Sequence, residues 1–225
     1  MPAFNRLSHF FFCLKPIMFS KSLVASLVFT TTILAAPVEL MTRQSCSTVQ
    51  LVHAAGTTES GLGLVGAPLA RSLASVIPGA TSYAVPYSTV AEYFTTVQAG
   101  ATMTAKYLAE QSARCPDQKF VLSGYSKGAM VMHSTQLDDK IKSKVISVLV
   151  FGDPQRRQTT ASWPISSPSV NSAPRSGNTG TQNVASFCNS GDMFCSPPGS
   201  IMPHLAYATD GSIDAAAKFA AAKAQ

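Results

Sequence analysis

The sequence predicts an α/β fold, a three-layer α/β/α sandwich built on a small, mainly parallel sheet of five strands. Short apolar runs alternate with stretches of helical periodicity, and such alternation is typical of parallel strands joined by crossover helices. A chain of 225 residues has room for one domain of this kind. The predicted strands are 49–52, 82–85, 120–123, 145–151 and 184–187, and the predicted helices are 64–76, 95–113, 129–142 and 213–223.

Residues 1–36 have the pattern of an N-terminal extension and a secretory signal peptide. Lys21 precedes the apolar run 23–35, which ends in small residues. A membrane anchor is the alternative, but a bilayer needs about 20 apolar residues. A second methionine, Met18, offers another start of translation. We therefore expect a secreted, extracellular protein with a short pro-segment or flexible N-terminus at 37–45 and one domain at 46–225.

The charge balance argues against a nucleic-acid partner. The formal net charge is +6, and the leader contains three basic residues and no acidic one, so half of this excess leaves with it. The remaining charges are scattered and form no basic run. We predict a monomeric protein without a nucleic-acid or metal partner.

Four cysteines remain after the leader, and an even number in a secreted chain predicts two disulfides. Three pairings are possible. Cys188 and Cys195 bracket a loop of six residues and should pair locally, which leaves Cys46 with Cys115. A metal site is the competing use of four cysteines, but the chain contains no Cys-x-x-Cys spacing.

The segment Gly124-Tyr125-Ser126-Lys127-Gly128 follows an apolar strand and precedes a helix. Glycines two positions before and after a serine allow the sharp strand-to-helix turn known as a nucleophile elbow. The turn would hold the Ser126 hydroxyl out at the end of the sheet, beside the free N–H groups of the helix. The pattern therefore predicts a nucleophilic serine.

A nucleophilic serine needs an imidazole base and an orienting carboxylate, and in this fold the chain order is serine, acid, histidine. His204 lies in a predicted loop before the last helix and is the candidate base, whereas His133 shares the serine's helix and should be a packed or solvated helix residue. Asp192, in the Cys188–Cys195 loop, is the candidate acid. Asp153, whose other role would be to cap a turn, is the second candidate.

Gly61-Leu62-Gly63-Leu64-Val65-Gly66 matches the glycine pattern of dinucleotide-binding folds. An acidic residue should follow about 20 positions later at the end of the next strand, and the chain has none there. The glycines more simply permit a tight turn and close helix packing. No cofactor is predicted.

Five ordered motifs together resemble secreted fungal cutinases and cutinase-like serine esterases. They are 55–59, 115–117, 124–129, 187–195 and 203–207, so the resemblance extends from Cys46 to the C-terminus. It implies an α/β-hydrolase fold without a large lid, a Ser126, Asp192 and His204 triad, and the same cysteine pairs. It also implies that Thr57 and the N–H of Lys127 form the oxyanion hole.

Two features depart from the family pattern. Lys127 replaces a usual glutamine, and a nearby cation could change the pH dependence or favour acidic substrates. The segment 159–181 is long for a minimal cutinase and is predicted to be a surface loop.

The predicted reaction is hydrolysis of an insoluble cutin-type polyester, or of small esters with short-to-medium acyl chains, through an acyl-enzyme. An acyl groove is expected from side chains near the base and in the loop after the second strand, namely Val85, Tyr87, Ile201, Met202 and Leu205. Acetylxylan esterase is the alternative. A non-catalytic secreted surface protein, or one recognised by a host, is the second alternative.

Overall fold

The computed structural model describes residues 46–177 and 180–225. The predicted leader and pro-segment, 1–36 and 37–45, lie outside these residues. Within them, six parallel strands form one sheet in the order β2-β1-β3-β4-β6-β5. The strands are β1 Val49–Ala54, β2 Thr81–Ala84, β3 Lys119–Tyr125, β4 Val145–Phe151, β5 Val170–Asn171 and β6 Val184–Phe187.

The sixth strand, β5, corrects the expectation of five strands. It lies inside the segment 159–181, which the sequence predicts to be surface loop, and it pairs with β6 at the edge of the sheet. A 3₁₀ turn, Pro174–Ser176, follows it. Two residues are too few for an alternating pattern to be visible, so pairing with a neighbouring strand determines this element.

Helices cover both faces of the sheet, which confirms the three-layer prediction. On one face α1 (Gly63–Val76) and α6 (Ser212–Ala221) pack on strand residues such as Leu51 and Val121. On the other face α2 (Phe94–Arg114) and α3 (Lys127–Ser134) pack on Val52 and Leu122. Successive strand residues point to opposite faces, so neighbouring apolar positions supply the two cores. None of the helices in the described ranges is long and apolar enough to cross a membrane.

The helix predicted at 129–142 is divided in two. Helix α3 ends at Ser134, and a separate short helix, α4, spans Asp139–Lys142. The Asp138 side chain accepts a hydrogen bond from the Ile141 N–H at 2.8 Å and so caps α4 at its start. Asp138 therefore begins a helix, where the sequence prediction placed it near the end of one.

The segments that contain the candidate site residues follow the carboxyl ends of four neighbouring strands and therefore lie at one edge of the sheet. Thr57 follows β1, Ser126 follows β3, Gly152 follows β4 and Asp192 follows β6. Ligand sites of open parallel sheets lie at this edge. A last short helix, α5 (Ile201–Leu205), contains His204, which the sequence predicts to be in a loop.

Candidate active site

Ser126 occupies the turn between β3 and α3 with the unusual backbone angles φ 52° and ψ −116°. Its N–H donates to the Phe151 carbonyl at 2.9 Å, which fixes the turn against β4. A Cβ at Gly124 would lie 2.2 Å from the Gly128 oxygen, and one at Gly128 would lie 1.9 Å from the Ala54 oxygen. Only glycine fits at both positions, as the sequence pattern predicts for an elbow.

The candidate base and the candidate acid are hydrogen-bonded to each other. His204 Nδ1 lies 2.8 Å from Asp192 Oδ2, and both side chains are buried. Since an ionised carboxylate only accepts, Nδ1 carries the proton of this bond. The other ring nitrogen, Nε2, is then free to accept a proton.

Tyr207 is a functional neighbour to which sequence reasoning gives no role. Its hydroxyl donates to Asp192 Oδ2 at 2.6 Å, and the Phe194 N–H donates to Asp192 Oδ1 at 2.9 Å. Burial by itself raises the pKa of Asp192, but the hydrogen bonds from His204, Tyr207 and the Phe194 N–H outweigh it, so the net pKa is lowered. Asp192 is therefore held as the carboxylate.

His204 lies against the residue that precedes the serine. The Tyr125 ring stacks on the imidazole with centroids 4.9 Å apart, and the Tyr125 hydroxyl donates to the His204 carbonyl at 2.9 Å. Among the described residues, no hydrogen bond joins the Ser126 hydroxyl and the His204 imidazole directly. Such bonds are often long in free enzymes and shorten when substrate binds.

The loop that holds Asp192 is closed by the Cys188–Cys195 disulfide, and Cys46–Cys115 forms the second bridge. Asn189, in the same loop, donates through its side chain to the Pro203 carbonyl at 2.8 Å, just before the base. The loop and the base are thus fastened to each other on two sides. The structure contains both disulfides that the sequence predicts.

Asp153, the second candidate acid, is hydrogen-bonded to a different histidine, His133. Its Oδ2 lies 2.8 Å from His133 Nε2, and its Oδ1 accepts from the Gln155 N–H at 2.8 Å, so it also caps a turn. His133 is buried and packs against Trp163, with ring centroids 4.1 Å apart. The pair supports the segment after β4, and in the described residues no hydrogen bond, ion pair or ring contact joins it to His204.

The segment after β1 contains the candidate oxyanion residue Thr57. Its hydroxyl is hydrogen-bonded to the Tyr93 hydroxyl at 2.9 Å. The Glu59 carboxylate accepts from the Gly56 N–H at 2.6 Å and the Leu64 N–H at 2.9 Å, so it ties this segment to the start of α1. The segment is therefore fixed by polar contacts on both sides of Thr57.

The glycine-rich segment at the start of α1 has the packing role that the sequence favours over dinucleotide binding. Gly61 and Gly63 have positive φ angles of 58° and 61°. A Cβ at Gly66 would lie 2.3 Å from His53 Cδ2. In the described residues no group of three or more His, Cys, Asp or Glu side chains could hold a metal ion.

The Lys127 side chain corrects one expectation. It is fully buried, and its ammonium donates to the carbonyl oxygens of Ser88, Val90 and Glu92 at 3.0, 2.6 and 2.8 Å. Its three donors are therefore occupied and offer no contact to an acidic substrate. Sequence reasoning identifies the unusual lysine but not these partners, because they are backbone atoms of a distant loop.

The residues of the predicted acyl groove differ in exposure. Val85 and Tyr87 are largely buried, and the Tyr87 hydroxyl donates to the Ala55 carbonyl. Both side chains line a pocket together with Pro86 and Thr89. Three groove residues on α5 are exposed, as expected: Ile201, Met202 and Leu205. Further exposed apolar side chains that the sequence analysis did not select include Val90, Tyr93, Phe94, Met193 and Phe194.

Comparisons with known proteins agree with this architecture. The sequence profile of the family described as Cutinase matches residues 45–224. A cutinase of Kineococcus radiotolerans is 34% identical over 79% of this chain and 62% of its own length. This chain therefore spans less than two thirds of that relative. A Mycobacterium tuberculosis carboxylesterase is 31% identical over 78% of this chain and 81% of its own. A Monilinia fructicola cutinase is 29% identical over 88% of this chain and 94% of its own length.

Solved structures show the same fold. A Trichoderma reesei cutinase, bound to a phosphonate inhibitor, has a TM-score of 0.63 and 30% identity over 80% of this chain and 78% of its own. The catalytic core of a Trichoderma reesei acetyl xylan esterase has a TM-score of 0.65 and 20% identity over 79% of this chain and 99% of its own. With this fold and these relatives, the chain belongs to the cutinase family of α/β-hydrolases and is a cutinase-like carboxylic ester hydrolase.

Proposed function

We propose that the chain is a secreted, monomeric serine esterase in which Ser126 is the nucleophile, His204 the general base and Asp192 the orienting acid. The observation that carries the proposal is the 2.8 Å bond between His204 Nδ1 and Asp192 Oδ2, at the sheet edge where the elbow presents Ser126. Such a pair leaves Nε2 to take the serine proton. Secretion is supported by the two disulfides.

The reaction proceeds through an acyl-enzyme. Ser126 Oγ attacks the ester carbonyl while its proton passes to His204 Nε2, and His204 then protonates the departing alcohol. Water, deprotonated by His204, attacks the acyl-enzyme, and His204 returns this proton to Ser126 Oγ as the acid is released. The lowered pKa of Asp192 keeps it ionised, so it stabilises the imidazolium formed in each half-reaction without taking up the proton itself.

The oxyanion hole is formed by the segment after β1 and the first turn of α3. The N–H of Lys127 stands at the start of α3, where helical N–H groups lack intrahelical partners. Thr57 supplies its N–H and its hydroxyl from the other side. Loss of one such donor typically costs about 3 kcal/mol of transition-state stabilisation.

The proposed substrates are cutin-type polyesters and short-to-medium acyl esters. Apolar side chains remain exposed on α5 beside the base, with Met202 at 69% exposure, and others lie on the loop that leads into α2. Apolar surface of this kind suits an aliphatic acyl chain. An enzyme for acetylated polysaccharide would need no such surface for its small acyl group.

The test compares hydrolysis of p-nitrophenyl acetate, butyrate and palmitate, and of acetylated xylan, by the wild type and by Ser126→Ala. We expect the highest activity on butyrate and its loss in the variant. Turnover of acetyl substrates alone would support the acetylxylan esterase alternative. Folded wild-type protein that hydrolyses none of them would refute the esterase proposal and support a non-catalytic role. Size-exclusion chromatography checks the monomeric state.

A further inference from the structure

We propose that the Lys127 side chain is a positioning residue for the oxyanion hole: by binding three carbonyl oxygens of the 88–92 loop, it fixes Tyr93 and, through Tyr93, the Thr57 hydroxyl. The inference rests on the proposed esterase function and deepens it. It gives a role to a buried ammonium that the mechanism above does not use.

The first step is the contact of the ammonium with the loop. The three N–H donors of Lys127 meet the carbonyls of Ser88, Val90 and Glu92, all within 3.0 Å. The ammonium also lies 5.5 Å from the Tyr87 ring centroid and 5.3 Å from that of Tyr93, within cation–π range. One buried charge thus holds alternate residues of a loop that has no regular secondary structure.

The second step leads from the loop to the segment after β1. The Thr58 N–H donates to the Thr89 carbonyl at 2.8 Å, and the Thr89 hydroxyl donates to the Glu59 carbonyl at 2.7 Å. The Thr57 and Tyr93 hydroxyls are 2.9 Å apart. Three consecutive residues, including the candidate oxyanion donor, are therefore fastened to the loop that Lys127 holds.

The third step is the place of Lys127 in the chain. It directly follows Ser126, so its N–H is a candidate oxyanion donor, while its side chain extends to the loop that fixes the other donor, Thr57. Oxyanion donors must be placed within tenths of an ångström to act on the transition state. Lys127 therefore contributes one oxyanion donor through its N–H and helps to position the other, Thr57, through its side chain.

The lysine ammonium can form more hydrogen bonds to the 88–92 loop than the side chains that would replace it. An ammonium has three donors, whereas a glutamine amide has two and a methionine none. Burial lowers the pKa of Lys127, and the charge of the nearby Glu92 opposes this. Glu92 itself is turned to the start of α2, where it accepts from the N–H groups of Thr95 and Thr96.

The experiment measures kcat and KM for p-nitrophenyl butyrate in Lys127→Gln, Lys127→Met and a matched control, Lys144→Met. Lys144 also donates to backbone carbonyls, those of Ser112 and Pro116, far along the chain from the loop. We expect kcat to fall about tenfold or more in Lys127→Met and less in Lys127→Gln, with KM changed less than about twofold. Lys144→Met should keep the wild-type kcat.

A double-mutant cycle separates positioning from general destabilisation. If Lys127 acts through Thr57, adding Thr57→Val to Lys127→Gln should lower kcat less than the product of the two single effects. Thr57→Val combined with Lys144→Met should be multiplicative. Multiplicative effects in both pairs, or a normal kcat in Lys127→Gln, would overturn the proposal.

Amide hydrogen exchange provides a readout that does not depend on activity. Lys127→Gln should increase exchange in peptides covering 56–60 and 86–93, and Lys144→Met should not. If Lys127→Met does not fold, the kcat and exchange measurements are made on Lys127→Gln alone. An inactive wild type would refute the esterase function, and an active Ser126→Ala would refute Ser126 as its nucleophile. Either result removes the catalytic role of Lys127, while exchange would still decide whether Lys127 holds the loop.

Discussion

His133 Nε2 lies 2.8 Å from Asp153 Oδ2, and this pair is buried as deeply as the pair formed by His204 and Asp192. His133 Nδ1 is also 2.6 Å from the Ser162 carbonyl oxygen. His133 is therefore held by a hydrogen bond at each of its ring nitrogens. The fold thus contains two buried pairs of histidine and aspartate, of which one lies beside the nucleophile and the other supports the segment after β4.

The first prediction concerns this second pair. His133→Ala leaves the Asp153 carboxylate buried without its partner and should lower the free energy of unfolding by about 3 to 5 kcal/mol. Urea unfolding measures this loss. The folded fraction should keep kcat within about twofold, whereas Asp192→Asn should lower kcat by orders of magnitude. A large fall in kcat of folded His133→Ala would contradict the separation of roles.

Gly152 provides the second prediction. Its φ is 57°, and a Cβ there would lie 2.5 Å from His204 Cε1 and 3.1 Å from Asp192 Oδ2. Gly152→Ala should therefore displace the base and lower kcat by about 100-fold, in line with the effect of misplacing a catalytic group. Gly79→Ala is the control, since Gly79 also has a positive φ, 77°, with no atom within 4 Å of its Cβ position. Equal kcat in the two variants would refute the argument.

The third prediction concerns Tyr207, whose hydroxyl donates to Asp192. Removal of a hydrogen bond to a charged group costs about 1.5 to 3 kcal/mol, so Tyr207→Phe should lower kcat about tenfold. Tyr107→Phe is the matched control, because its hydroxyl donates to the Gln50 side chain, away from the site. If Tyr207→Phe keeps full kcat, the Asp192 carboxylate is oriented without this bond.

The outline of the fold and the candidate triad can be predicted from the sequence because their signals are local. Strand and helix periods, the glycines around Ser126 and the disulfide loop around Asp192 each depend on neighbouring residues. The contacts of Tyr207, Tyr93 and Lys127 depend on residues far apart in the chain, and a local pattern does not record such contacts. Strand β5 cannot be predicted from a local pattern for the same reason, since its pairing with β6 defines it.

The fourth prediction concerns pH. His53 is fully buried, its Nδ1 is 3.1 Å from the Ser123 hydroxyl, and its Nε2 has no hydrogen-bond partner among the described residues. Burial lowers the pKa of His53 from 6.5 to about 3. Between these values the unfolded chain binds more protons than the folded one, so stability is lost as pH falls below about 6.5, by up to about 1.4 kcal/mol per pH unit.

Urea unfolding between pH 7 and pH 4 measures this dependence. His53→Asn cannot titrate and should show a smaller loss of stability in this range. A similar pH slope in the variant and in the wild type would assign the acid sensitivity to other groups.

The fifth prediction contrasts the two disulfides. Cys46 and Cys115 are 69 residues apart and Cys188 and Cys195 are 7 apart. On the chain-entropy model these bridges stabilise by about 4 and about 2 kcal/mol, respectively. Replacing Cys46 and Cys115 by serine should therefore cost more stability, measured by thermal or urea unfolding.

The effect on activity should be reversed. The shorter bridge closes the loop that presents Asp192, so its loss should lower kcat in protein that is still folded. Loss of the longer bridge should leave kcat nearly unchanged, because Cys46 and Cys115 lie before β1 and β3, at the strand ends opposite the elbow. The reverse ranking of kcat would show that the loop does not need its bridge to orient the acid.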